Sequence, residues 1–210
     1  MPDSGKRNVL RQREQYCQEA MEGCACSMDC FELMVEEHRN IKRMLSVVRK
    51  YCSRILNGET VNYEDFFGII EFIRGYADKH HHGKEETLLF ARMTEELGPA
   101  ANKLVRYGMN VEHDMGRLFV QDLEIAVRRV LDGDLDARLD VIANAISYTH
   151  LLERHIEKED SVVYKFAQRD LAVETKERLE KECFDFERAA RAENIQTKYL
   201  ALLEEFENRN

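Results

Sequence analysis

Residues 81–90 read HHGKEETLLF and residues 155–164 read HIEKEDSVVY. Each stretch places a glutamate four residues after a histidine and an aromatic five beyond that: His81, Glu85 and Phe90 in one, His155, Glu159 and Tyr164 in the other. On an α-helix, residues four apart lie one above the other on the same face. Each word therefore aims an imidazole and a carboxylate at one point. Such a pair in successive layers of a packed helix is costly unless it is paired or bound to metal. The repeat thus points to helices gathered around a polar centre.

The flanking sequence supplies those helices. Around the second word, Val141, Ala145, Tyr148, Leu152, His155, Glu159, Val162 and Phe166 recur at alternating spacings of four and three, the seam of a packed helix. His150 falls on the opposite face. Around the first word, a helix is predicted from just after Asn62, a capping residue, to Leu97, where Gly98-Pro99 ends it. At 100° per residue, Phe67, Ile70, Ala77, His81, Glu85 and Leu88 share one side, with His82 and Glu86 turned away. Phasing therefore selects His81 with Glu85; His80 or His82 would reach the site only through local unwinding. Lys84 and Lys158, at equivalent places in the two words, are expected in water.

Two further seams carry one histidine each. Met34, His38, Ile41, Leu45, Val48, Cys52 and Ile55 form one, ended by Asn57-Gly58. Met109, His113, Gly116, Val120, Leu123, Val127 and Val130 form the other, in a helix from about 101 to 131, followed by the turn Asp132-Gly133-Asp134. Gly116, one turn from His113, leaves room for a ligand or a neighbouring helix. Beyond about 170 the pattern is helical again, as Leu171 to Arg191 and Ile195 to Phe206, with Asn194 as a candidate cap. This tail has apolar positions and no histidine, and is expected to pack on the bundle or on a second copy of the chain.

Four helices thus turn His38, His81, Glu85, His113, His155 and Glu159 inward. One histidine on a seam is most simply a hydrogen-bonded core residue. Four, two of them with a glutamate one turn later, make a metal-ligand set of the kind built in bundle cores. Imidazole with carboxylate suits iron, then manganese, and zinc less specifically. The number of donors suits two ions, each taking two imidazoles, with Glu85 and Glu159 bridging and the open positions left for an oxo or hydroxo bridge and a small ligand.

Composition agrees with an all-α chain: 210 residues with only two prolines leave long stretches without a helix breaker. A formal net charge of −9 without a dense basic stripe argues against nucleic acid and against an anionic membrane as partners. The first residues, Met1 to Arg7, lack the apolar core of a signal peptide, and no run approaches the roughly 18 apolar residues of a membrane span, so a cytoplasmic protein is expected. The expected organisation is a cysteine-containing arm over 1–27, a four-helix bundle over 28–168 and a helical extension over 169–210. Cys17, Cys24, Cys26 and Cys30 match no standard zinc or iron–sulfur spacing. They are either incidental thiols, a thiol switch, or a metal site completed by another subunit. Cys52 reads as a small buried apolar residue.

The words EEHRNIKRML (36–45), HHHGKEETLLF (80–90), EHDMGRLFV (112–120) and LLERHIEKEDSVVY (151–164) resemble, in order, the four helix signatures of the hemerythrin-like (HHE cation-binding) family. The resemblance implies an antiparallel four-helix bundle around a non-haem di-iron centre and carries ligand roles onto His38, His81, Glu85, His113, His155 and Glu159. Oxygen-carrying members have a second histidine one turn away on the third helix. Here those neighbours of His113 are Met109 and Arg117. The four-histidine, two-glutamate set looks more like the bacterial iron-repair and iron-sensing branches.

The function expected is binding of dioxygen, peroxide or nitric oxide at the open iron positions, for sensing, scavenging or detoxification. The alternative is an iron storage, iron donation or iron-sensing interaction protein, and the enzymatic options are a di-iron oxidase or a peroxide-decomposing activity. A homodimer through the C-terminal helices is the expected assembly. Outside the metal constellation, no nucleophilic triad and no Gly-rich phosphate loop can be made out.

Overall fold

The protein's structure is a computed structural model in which residues 29–209 are described. Cys17, Cys24 and Cys26, and with them the thiol cluster suggested by the sequence, lie outside the described residues. Six helices account for nearly all of the described chain: α1 (Cys30–Leu56), α2 (65–96), α3 (98–131), α4 (138–170), α5 (Val173–Ala192) and α6 (Ile195–Asn208).

The helix ends follow local chemistry. Asp29 caps α1 by accepting from Phe31 N at 2.9 Å and Glu32 N at 2.8 Å, while the Glu32 carboxylate accepts from Asp29 N at 3.1 Å, a reciprocal capping box. Asn62 does not cap α2: its Oδ1 accepts from Glu64 N at 3.3 Å, in the turn before the helix. α3 starts at Gly98, earlier than the sequence suggests. Pro99 occupies its first turn, where a missing N–H costs nothing. Asn194 is not a side-chain cap; it turns the chain between α5 and α6 with a left-handed φ of 58°, which asparagine tolerates.

α1 to α4 run alternately up and down. The start of α1 (Phe31, Met34), the end of α2 (Leu89, Phe90, Met93), the start of α3 (Ala101, Val105) and the end of α4 (Val163, Ala167) meet in one apolar cluster. A second, larger cluster fills the other end, from Ile41 to Ile55 on α1 through Val120 to Val130 on α3 and Val141 to Ile156 on α4. The His/Glu layer lies between the two, shielded from water by apolar packing above and below. α5 and α6 pack on this bundle. Tyr199, Leu203 and Phe206 of α6 join the larger cluster against α2, where a Cβ on Gly75 would overlap the Tyr199 hydroxyl and one on Gly68 would sit 2.8 Å from the Phe206 ring.

Three bundle helices widen locally into π-helical turns: Ile73–His82 and Glu85–Leu89 in α2, Val105–Met109 in α3 and Glu159–Val163 in α4. Hydrogen bonds reaching five residues back turn the chain by less than 100° per residue, so faces phased on a regular α-helix slip. The seam predicted through Val162 passes instead through Val163 and Tyr164, leaving Val162 53% exposed. In α2, Leu89 and Phe90 take the buried places expected from Leu88 onward. Among the described residues, no helix is long and apolar enough to cross a membrane.

Candidate metal centre

All six residues singled out by the sequence meet in the layer between the apolar clusters, each at most 2% exposed. α1 contributes His38, α2 His81 and Glu85, α3 His113, and α4 His155 and Glu159. The Nε2 atoms of His38 and His81 lie 2.8 Å apart, and those of His113 and His155 lie 2.9 Å apart. The two glutamates stand between these imidazole pairs. Glu159 reaches His38 with Oε2 at 3.3 Å and His155 with Oε1 at 2.9 Å. Glu85 Oε2 is 3.6 Å from His81 and 3.7 Å from His113.

His82 joins them, contrary to the phasing argument. It is 6% exposed and stacks on His113 with ring centroids 3.8 Å apart and planes 10° from parallel. The wide turns of 73–82 rotate His82 toward α3, and α2 is enclosed on several sides by α1, α3, α5 and α6. His80, His81 and His82 therefore face three different neighbours, and all are buried. Two groups of four candidate ligands result: His38, His81, Glu85 and Glu159, and His82, Glu85, His113 and His155, the ligand atoms within each lying no more than 4.8 Å apart. Glu85 belongs to both.

A carboxylate backs each imidazole from outside. Nδ1 of His38 bonds Asp160 at 2.7 Å, that of His81 Glu37 at 2.8 Å, that of His113 Glu86 at 2.6 Å and that of His155 Glu112 at 2.9 Å. His82 Nδ1 stands 3.4 Å from Asp78 without a hydrogen bond. A carboxylate only accepts, so Nδ1 of the first four donates to it and Nε2 is the ring atom that faces inward. This is the arrangement that fixes metal-binding histidines. The outer carboxylates escaped the sequence reading although the signal was present: Glu37-His38 and Glu112-His113 are adjacent, and Glu86 and Asp160 directly follow the two inward glutamates.

The electrostatics are those of a site short of positive charge. Burial, then the neighbouring Glu159 carboxylate, push Glu85 well above the ordinary range. Burial would also raise Glu159, but the His155 charge and the close approach of the His113 and His38 imidazoles hold it well below. Burial alone would lower His155; the Glu159 charge and the Glu112 hydrogen bond instead raise it to about 10. His81 falls to about 4 through burial and the nearby His38. Glu85 Oε2 and both Glu159 carboxylate oxygens are buried without a hydrogen-bond partner. Such orphaned oxygens are expensive, and cations among five imidazoles would satisfy them and reverse the repulsion between the two carboxylates. The residues fit metal ions.

Tyr164, the aromatic closing the second word, is part of the centre. Its hydroxyl donates to Glu85 Oε1 at 2.6 Å and its ring stacks on His38 with centroids 5.6 Å apart. Tyr148, on the seam of the same helix, packs against Gly116, where an added Cβ would sit 3.5 Å from its ring. The glycine thus faces a neighbouring helix. Cys30 and Cys183 lie buried together in the smaller apolar cluster, and their contact, with burial, raises the Cys30 thiol.

The description "Hemerythrin HHE cation binding domain" belongs to a family model that matches residues 30–167, α1 through almost all of α4. No curated protein and no solved structure matches the chain. With the matched span covering most of the chain and the His/Glu groups at its centre, the chain belongs to the hemerythrin HHE cation-binding family.

Proposed function

We propose that the chain is a cytoplasmic non-haem di-iron protein that binds dioxygen, peroxide or nitric oxide for sensing, scavenging or detoxification. The observation that carries this reading is the pair of buried four-residue groups sharing Glu85, with carboxylate oxygens left unpaired. His38 and His81 would hold one ion, and His82, His113 and His155 the other, with Glu85 and Glu159 between them. A set rich in imidazole and carboxylate, without a thiolate, favours iron over a structural zinc. When bound, an iron pair supplies cations that exchange electrons with a small ligand.

The chain's own residues shape access and protons. Three imidazoles on one side and two on the other would make the two ions unequal, the side with His38 and His81 having the fewer imidazoles. That side adjoins a surface groove of ≈ 380 Å³ lined by Phe31, Val35, Arg39, Asp160, Tyr164 and Lys165 among others. Tyr164 separates the groove from Glu85. Burial, then the nearby Glu85 and Glu159 charges, keep its hydroxyl protonated far above neutral pH, so it holds a proton at Glu85 Oε1.

The test is anaerobic loading of the full chain with ferrous iron, followed by exposure to each small ligand in turn. Two irons per chain and a rapid absorption change with at least one of the three are expected. Fewer than two irons removes the di-iron reading. Slow oxidation with transfer of iron to an apo-acceptor moves the assignment to storage or donation.

A further inference from the structure

α5 lies outside the residues matched by the family model, yet one of its side chains reaches the metal layer. Glu187 is 3% exposed; it accepts from Lys84 Nζ, stands 3.3 Å from His80 Nε2, and accepts from Gln196 Nε2 of α6 at 2.5 Å. Lys84 Nζ also donates to Glu37 Oε1 at 2.5 Å. Glu37 stands 3.0 Å from His80 with that oxygen and accepts from His81 Nδ1 with the other at 2.8 Å. An unbroken path of polar contacts, half-buried at Gln196 of α6 and buried from Glu187 inward, therefore runs through α5 and Lys84 to a candidate ligand.

None of the other four inward imidazoles, His38, His82, His113 and His155, is backed in this way. Asp160, Glu86, Glu112 and Asp78 are between 20% and 30% exposed, and their counter-charges are the surface side chains Lys42, Arg117 and Lys158. Water can replace those cations at little cost. Glu37 is 2% exposed and cannot turn to water. Its orientation toward His81 depends on Lys84, and Lys84 in turn is shared with Glu187. Glu37, His80 and Glu187 by themselves would make a cation site, and the Lys84 ammonium already bridges its two carboxylates. The docking of the extension is also built into the ligand helix, because Gly68 and Gly75 of α2 leave room for Phe206 and Tyr199.

We propose that the C-terminal helices are a working part of the metal centre: Glu187, acting through Lys84 and Glu37, holds the His81 ring and sets how tightly the ion beside it is bound. Glu187 and Lys84 are positioning residues, and the proposal rests on the two-ion reading of the site. Any event that shifts α5 then reaches one ion and leaves the other, which is backed from the surface.

The experiment is a Co²⁺ titration of the full chain followed by visible absorption and by competition with a chelator. It compares wild type with the double variant Lys84→Met/Glu187→Gln, which removes one charge of each sign and leaves no isolated buried ion at position 84 or 187. Lys158→Met, in the equivalent place of the second word, is the control. The double variant is expected to keep its far-UV circular dichroism and bind one of the two ions about tenfold more weakly or worse. That ion's absorption band should shift, whereas the other ion's band and both bands of Lys158→Met stay unchanged. Glu187→Gln alone is expected to move the same ion by less, so the proposal remains testable if the double variant folds poorly. Unchanged affinities and bands in the variants that fold overturn it. A wild-type chain that binds fewer than two Co²⁺ overturns it too, but by removing the two-ion reading itself.

Discussion

Lys84 and Lys158 occupy the same place in two copies of one word, three residues after a histidine and one before an inward glutamate. Lys84 is wholly buried, bonded to Glu37 and Glu187; Lys158 is 45% exposed and bonded to Glu112. The words do not differ at the lysine. They differ in what lies outside the helix: α2 is covered by the C-terminal extension on the side where α4 meets water. Local sequence aims the imidazole and carboxylate of each word. The rest of the fold decides whether the residue beside them is a solvated charge or a core ion.

The largest test of that contrast is to remove each lysine. Lys84→Met strands two buried carboxylates and is expected to cost the metal-free protein about 3–5 kcal/mol in denaturant unfolding, the range for breaking a buried ion pair. Lys158→Met should cost under about 1 kcal/mol, as for a surface pair. Equal losses would mean that the extension does not seal Lys84 in solution. Next in size is Gly75→Ala. The added methyl overlaps the Tyr199 hydroxyl, and overpacking here should destabilise by about 1–3 kcal/mol. Tyr199 docks on α2, and the Lys158 side of α4 is open to water, so the contrast predicts damage confined to α2 and to the seating of α6. Hydrogen exchange of α6 amides would reveal this as faster opening, with α4 unchanged.

A smaller effect separates solvated from sealed carboxylates by pH. Burial would raise Asp78, but the His82 imidazole 3.4 Å away and a hydrogen bond from Arg117 bring it down to about 2. A carboxyl with a depressed folded value contributes stability that is complete above its unfolded value, near 3.8, and is lost as pH falls toward 2. Discounted for its solvent contact, the contribution is about 1 kcal/mol. Asp78→Asn should remove that part of the acid dependence between pH 4 and 2 in the metal-free protein. An unchanged acid limb in urea unfolding would show that the partly exposed ring of carboxylates carries no such linkage.

The four bundle helices and six of the seven converging His and Glu side chains were legible because they obey a spacing of four and three that survives in the structure. His38, His81, Glu85, His113, His155 and Glu159 all fall where that rule puts them. The rule breaks where helices widen. Wide turns bring His82 inward, move the seam of α4 from Val162 to Val163, and carry the polar layer past one face. Nothing in the residue types announces a π-turn, so phasing at 100° had no means of finding it. Lys84 and Glu187 were illegible for a different reason. Their burial depends on where α5 docks, a contact between residues 103 apart in sequence, and apolar periodicity in the tail shows that it packs without showing against what.

Gly83 offers the finest division between the two words, since the matching residue of the second is Glu157. Gly83 sits in ordinary helical backbone, φ −56° and ψ −39°, and an added Cβ would meet only the Asp78 carbonyl oxygen at 3.8 Å. On those grounds Gly83→Ala should stabilise the metal-free chain by about 0.5–1 kcal/mol, the usual gain for alanine inside a helix. Yet Gly83 lies between the two widened segments of α2, where the chain must leave one set of wide turns and enter another. If its freedom is what lets His82 and Glu85 face the same layer, alanine will bring a loss in metal affinity along with any gain in stability. Thermal unfolding of the metal-free protein and Co²⁺ competition on the same variant separate the two effects. Stabilisation with unchanged affinity assigns the wide turns to packing around α2; stabilisation with weaker binding assigns them to the glycine, and makes the difference between the words a local one after all.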